Sequence, residues 1–178
     1  MATLFILFLL PGKVMANGLS ERRAWVGLEL FPTFLAADSH IAEKKGEDGS
    51  LHLLLVYRDR KDLAEEMASR LSRIKTIRNI PVRVSTAMID DLENGTGGTP
   101  AGIFLVERMG DKLMTAIRFG KDRQAIVFSP FQGDVENGVS SGMVVSDTIL
   151  PYVNIEAMRL SGIHLKSFFL GIAELYGE

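Results

Sequence analysis

Residues 51–57 read LHLLLVY, seven positions with one polar side chain, His52. A half-buried strand alternates apolar and polar residues, whereas a nearly unbroken apolar run is the mark of a strand covered on both faces, as in a parallel sheet. Behind it, Asp59 to Ile74 carries Leu63, Met67, Leu71 and Ile74 at i, i+4, i+8 and i+11, one face of an amphipathic helix. Pro81 to Thr86 (PVRVST) then alternates as a strand. Strand, helix and strand in this order form a βαβ unit with a right-handed crossover.

The remaining segments extend that frame. Ser20 is placed to cap an opening helix with Ala24, Trp25, Leu28 and Phe31 inward, and Pro32 is expected to end it. Asp38 to Ser50 and Asn94 to Pro100 read as loops. Ile103 to Val106 and Ala125 to Phe128 read as short buried strands, separated by a helix over Met109 to Phe119 with Leu113, Met114 and Ile117 inward. Met143 to Val145 and Leu150 to Ile155 form two strands joined at Ser146-Asp147-Thr148. Glu156 to Leu160 makes a short helix closed by Gly162, and Leu165 to Tyr176 a last helix burying Leu165, Phe168, Phe169, Ile172 and Tyr176. With 178 residues the chain suits one domain. The expectation is an α/β fold: an open, mostly parallel, doubly wound sheet with helices on both faces. Its central core is Leu53, Leu55, Ile103, Leu105, Ile126 and Phe128.

Composition removes several functions. Lys and Arg total 20 against 22 Asp and Glu, a net charge of −2, which argues against broad nucleic-acid binding. The absence of cysteine excludes thiol nucleophiles, disulfides and Cys-type metal sites. Three separated histidines make a His-rich metal site unexpected, so no metal and no cofactor is expected. At the start, Leu4 to Leu10 (LFILFLL) is apolar, Pro11 and Gly12 break it, and Val14 and Ala16 occupy the −3 and −1 positions of a cleavage site. Seven helical residues rise only about 10 Å, too little to span a bilayer. Residues 1–16 therefore read as a secretory signal, and 17–178 as a mature periplasmic domain without membrane insertion. A buried first strand is the competing reading of the same run.

In open α/β sheets ligands lie beyond the carboxyl ends of the strands. Those ends carry Arg58, Asp59, Glu107, Arg108 and Ser129. Each also has a structural role open to it: Asp59 as a helix N-cap, Glu107 and Arg108 as solvated residues opening a helix, Ser129 as a turn or cap before Pro130. Known catalytic patterns do not fit. The turn Arg58-Asp59-Arg60-Lys61 has no glycine for a dinucleotide. Gly95, Gly97 and Gly98 precede a strand rather than a helix, and there is no Walker A sequence. The third strand ends in Val106-Glu107 rather than the Asp of a receiver domain. Ser140 and Ser141 between Gly138 and Gly142 do not make a nucleophile elbow. No enzymatic activity is expected.

From Glu21 to Tyr176 the order of segments resembles the YfiR family of small periplasmic proteins. The likeness rests on ERRAWVGLELFPTFLAAD (Glu21–Asp38), LHLLLVYRD (Leu51–Asp59), RNIPVRV (Arg78–Val84) and TPAGIFLVE (Thr99–Glu107). Its most telling part is GMVVSDTILPYVNIEAMRLSGIHLKSFFLGIAELY (Gly142–Tyr176). Ser85–Gly98 and Phe131–Ser141 match loosely. The resemblance implies a repressor that binds the periplasmic part of an inner-membrane diguanylate cyclase and lowers cyclic di-GMP and exopolysaccharide production. The redox switch of some members cannot apply to a chain without cysteine. The oligomeric state stays open, a homodimer included. For such a partner, Leu30 and Phe34 are the candidate contact residues, because the opening helix carries more apolar residues than one face can bury. The alternative is that Phe34 and Leu35 tuck beside Phe168 and Phe169. A second class of function, a small-ligand-binding protein related to solute receptors, would use Arg58, Asp59, Glu107, Arg108 and Ser129.

Overall fold

The structure, a computed structural model, describes residues 12–94 and 98–177, the side chains of 12–17 excepted. The apolar run Leu4–Leu10 lies outside the described residues. The first element, α1 (Gly12–Ala37), passes through Ala16, Ser20 and Pro32 without a break. Pro32 removes one helical hydrogen bond and crowds the preceding turn, at a cost of about 3 kcal/mol. The helix nevertheless continues, because Phe31, Phe34, Leu35 and Ala37 beyond and beside it are all buried. Each large side chain among them contributes about 1.5–3 kcal/mol. Ser20 is thus a helix-interior residue, not a cap.

The loop after α1 contains a one-turn 3-10 helix (Ile41–Lys44) and is less exposed than its polarity suggests: Asp38, Ile41 and Ser50 are buried. Next come β1 (Leu51–Tyr57), α2 (Lys61–Leu71), β2 (Thr76–Ile77) and β3 (Ile80–Met88). The β2–β3 hairpin turns through Arg78 and Asn79, both at positive φ. After a 3-10 turn at Ile89–Asn94 follow β4 (Gly102–Leu105), α3 (Leu113–Asp122), β5 (Ile126–Ser129), β6 (Ser141–Val145) and β7 (Ile149–Asn154). The chain closes with α4 (Ile155–Leu160), α5 (Ser167–Leu170) and β8 (Glu174–Tyr176).

Among the described residues these strands make one open sheet in the order β2-β3-β1-β4-β5-β6-β7-β8. The pairings from β3 through β6 are parallel, as is β7 with β8; β2–β3 and β6–β7 are antiparallel. Helices cover both faces. Leu53, Leu55, Phe104, Ile126 and Phe128 pack with α1 and α2. Leu54, Val56, Ile103, Leu105 and Val127 pack with α3 and the 3-10 turn at Ile89–Asn94. All six residues expected at the centre of the core are fully buried.

Two helical expectations are corrected. Gly110 at positive φ first opens a 3-10 turn, so α3 begins later, faces Ala116 and Phe119 inward and leaves Met114 exposed. The last helix stops at Leu170, and Glu174, Leu175 and Tyr176 pair instead with Tyr152, Val153 and Asn154. Phe169 is buried, while Phe168, Ile172 and Tyr176, expected inside, are 67%, 59% and 39% exposed.

His52, on the α3 face of β1, is almost wholly buried, with Nε2 2.6 Å from the Ser85 hydroxyl. Burial first, and then the nearby Arg83 charge, push its pKa from 6.5 to about 4. Below pH 6.5 the unfolded chain therefore takes up a proton that the folded chain refuses, and stability falls until about pH 4. Between pH 7 and pH 4.5 this group should cost about 2 kcal/mol. Urea unfolding should show that extra loss in the native chain and not in His52→Asn; equal losses in both would refute the assignment.

Candidate functional site

The strand order makes the site. The chain leaves β1 toward α2 on one face and leaves β4 toward α3 on the other, so the two connections part at the carboxyl ends of β1 and β4. This is the topological switch point at which open α/β sheets bind ligands. Arg58, Asp59, Glu107 and Arg108 all meet there.

The β1–α2 turn presents three successive backbone N–H groups to this point. All three donate to one carboxylate oxygen: Glu107 Oε1 accepts from Arg58 N at 2.9 Å, Asp59 N at 2.8 Å and Arg60 N at 2.7 Å. The amide groups at the start of a helix attract anions because they carry unpaired positive charge. Here the anion comes from the neighbouring strand. Glu107 is consequently not a solvated residue, and Asp59 is not an N-cap; Arg60 precedes α2 and has no capping side chain.

The arginines are held by the chain as well. Arg58 Nη1 donates to the Met109 carbonyl (3.1 Å) and pairs with Asp111 (2.8 Å). Arg60 lies 3.4 Å from Glu21 on α1. Arg108 donates to the Gln132 carbonyl and stands over the Phe131 ring, 5.5 Å from its centroid. Ser129 joins this group through Asp134, which lies 3.8 Å from Arg108. Its buried hydroxyl donates to Asp134 at 2.5 Å and accepts from Phe131 N, which is the turn role. Burial raises the Asp134 carboxyl above its ordinary range, with the Ser129 hydrogen bond opposing the shift. A cavity of about 250 Å³ remains beside Glu107, bounded by Glu21, Arg60, Leu63 and Phe131.

Of the two candidate contact residues, Phe34 falls in the core, as the alternative for it had it. Phe34 is completely buried, its ring centroid 5.3 Å from that of Phe128 and 4.9 Å from that of Phe169. Leu30 is half-buried and packs on the same core. Because α1 runs on past Pro32, Phe34 stays in the inward stripe with Leu28, Phe31 and Leu35. Exposed apolar residues include Leu19 on α1, Met88, Met114 and Leu160, Val145 and Ile149 at the β6–β7 turn, and Phe168, Ile172 and Tyr176 near the last strand. Gly171 breaking the final apolar run, followed by the alternation Glu174-Leu175-Tyr176, was the sequence signal for that edge.

No family model matches the chain, and no curated protein sequence matches it. Solved structures do. The ABC domain from Streptococcus pneumonia, in complex with L-Trp, superposes with a TM-score of 0.55 at 10% identity, over 86% of this chain and 60% of that one. A conserved domain protein from Vibrio cholerae gives a TM-score of 0.53 at 15% identity, over 75% and 57%. The chain thus spans less than two thirds of the length of these neighbours and shares their α/β fold.

Removing the Glu107 carboxylate strands three amide donors at the switch point. Glu107→Ala should cost about 1–3 kcal/mol in urea unfolding, and Glu107→Gln, which keeps an acceptor oxygen, about half as much. Amide exchange at Arg58, Asp59 and Arg60 should accelerate in the Ala variant. Unchanged exchange at these three amides would contradict the capping role.

Proposed function

We propose that the chain is a periplasmic regulatory domain without enzymatic activity, which binds a membrane-anchored diguanylate cyclase and lowers its output. The likeness of Glu21–Tyr176 to the YfiR family supports it. The observation that carries it is the occupied switch point. Where an α/β sheet ordinarily opens to a small ligand, Glu107 fills the amide site and Arg58 is held by Met109 and Asp111. Contact through the outer surface then becomes the means of action, and the apolar side chains near β8 and at the β6–β7 turn offer it.

A second reading, capture of a small solute at the strand ends, draws on the fold shared with the domain solved with L-Trp. It requires Glu107 to leave the three amides and the cavity beside it to open.

Cyclic di-GMP measured in cells separates the two. Deleting the gene should raise the nucleotide several-fold, and restoring the protein to the periplasm should lower it again. An unchanged level on deletion, together with an L-Trp-dependent rise in the thermal midpoint of the purified chain, would replace the regulatory reading with the solute reading.

A further inference from the structure

The sheet ends in β8, beyond which no described strand lies. On β7 and β8 the register places Tyr152 beside Glu174 and Asn154 beside Tyr176, and alternation along each strand puts Tyr152, Glu174 and Tyr176 on one face. The rings of Tyr152 and Tyr176 stand edge to face, 6.4 Å apart. Glu136, from the loop before β6, accepts from the Tyr152 hydroxyl at 3.3 Å. A hollow of about 230 Å³ is lined by Glu136, Tyr152 and Glu174. Arg23 on its wall donates to the Pro130 carbonyl. Neither Glu136 nor Glu174 belongs to an ion pair among the described residues.

We propose that the β8 edge and this hollow together dock an extended basic segment of a protein partner, whose backbone pairs with β8 and whose Arg or Lys side chain enters between the two carboxylates beside the tyrosine rings. The inference rests on the reading of the chain as a protein-binding regulator and names the chemistry of its partner. Three features converge on one occupant. A strand edge that no described strand covers offers main-chain hydrogen bonds to an added strand. Tyrosine faces attract cations. Two carboxylates outside any ion pair among the described residues supply charge that a cationic side chain answers. The Tyr152 phenol reports the same field: burial, and after it the charge of Glu136, hold its pKa above the ordinary value. A second copy of the chain is the wrong occupant, because pairing two β8 edges brings acidic edge to acidic edge.

The probe is the peptide Thr-Val-Arg-Val-Arg-Val-Thr, titrated into the full chain at low ionic strength, with its Glu-for-Arg counterpart and arginine amide as comparisons. The basic peptide should bind saturably and slow amide exchange in β8, while the acidic peptide should not bind. The exposed double variant Glu136→Gln, Glu174→Gln should keep its thermal midpoint and weaken the basic peptide by about tenfold. Equal binding of both peptides, arginine amide binding as tightly as the peptide, or undiminished binding by the double variant would each overturn the site. Cells carrying the double variant distinguish this failure from that of the regulatory reading. Repression lost together with peptide binding supports both. Repression retained after peptide binding is lost leaves the regulator and removes this site from it. Peptide binding in a chain whose deletion leaves cyclic di-GMP unchanged keeps the site and removes the regulator.

Discussion

The seating of α1 on the sheet is the constraint on which the rest of the molecule depends, and it rests on two missing side chains. A Cβ on Gly102 of β4 would lie 2.6 Å from Leu35 Cδ2 and 2.8 Å from Phe31 Cζ; one on Gly27 of α1 would lie 2.7 Å from Pro130 Cβ and 2.9 Å from Phe128 Cε1. Helix and sheet therefore approach closely enough for Phe31, Phe34, Phe104 and Phe128 to form one aromatic cluster, with Phe104 and Phe128 stacked and Phe31 tilted against both. Interiors are packed too densely for such contacts to open by fractions of an ångström without loss.

From that seat α1 organises both ends of the sheet. At the carboxyl ends, Arg23 reaches the Pro130 carbonyl and Glu21 meets Arg60, closing one side of the switch point. At the other end, the last turn of α1 receives the C-terminal segment: Ser39 N donates to the His164 carbonyl and Lys166 N to the Ala37 carbonyl. The buried Asp38 carboxylate is balanced there by Lys44 at 2.6 Å, a pair whose separate burial would be costly. This clip places Phe169 on Phe34 and sends the chain on into β8. Closure of the crevice and exposure of the last edge thus follow from the same helix.

Much of the frame was legible because burial on both faces leaves a signal that needs no partner to read. The runs in β1, β4 and β5 are apolar except for His52 and the terminal Ser129, and α2 shows its stripe at helical spacing. What escaped the sequence is decided by distant contacts. Pro32 reads as a stop until Phe34 and Leu35 are seen to be buried beyond it. Leu165 to Tyr176 has the apolar density of a helix, yet Gly171 and the open edge of β7 turn its end into a strand. The role of Glu107 depends on amides 47 to 49 residues away, a separation that spacing along the chain cannot reveal. Arg58, Asp59, Glu107 and Arg108 are gathered at the strand ends, where Glu107 accepts from the Arg58 and Asp59 amides while the Arg58 and Arg108 side chains turn to Met109, Asp111 and Gln132.

The proposed contact lies at a lateral edge rather than at the pole where α/β sheets usually bind ligands, and α1 fixes both regions. Gly102→Ala tests that dependence directly, since the nearest atoms the added methyl meets belong to two buried side chains of α1. Urea unfolding combined with native-state amide exchange should show a loss of about 1–3 kcal/mol. Protection should fall first in α1 and in the clipped segment around His164 and Lys166, while α3 keeps its own. An unchanged midpoint with native protection throughout α1 would contradict the claim that this contact holds the structure together.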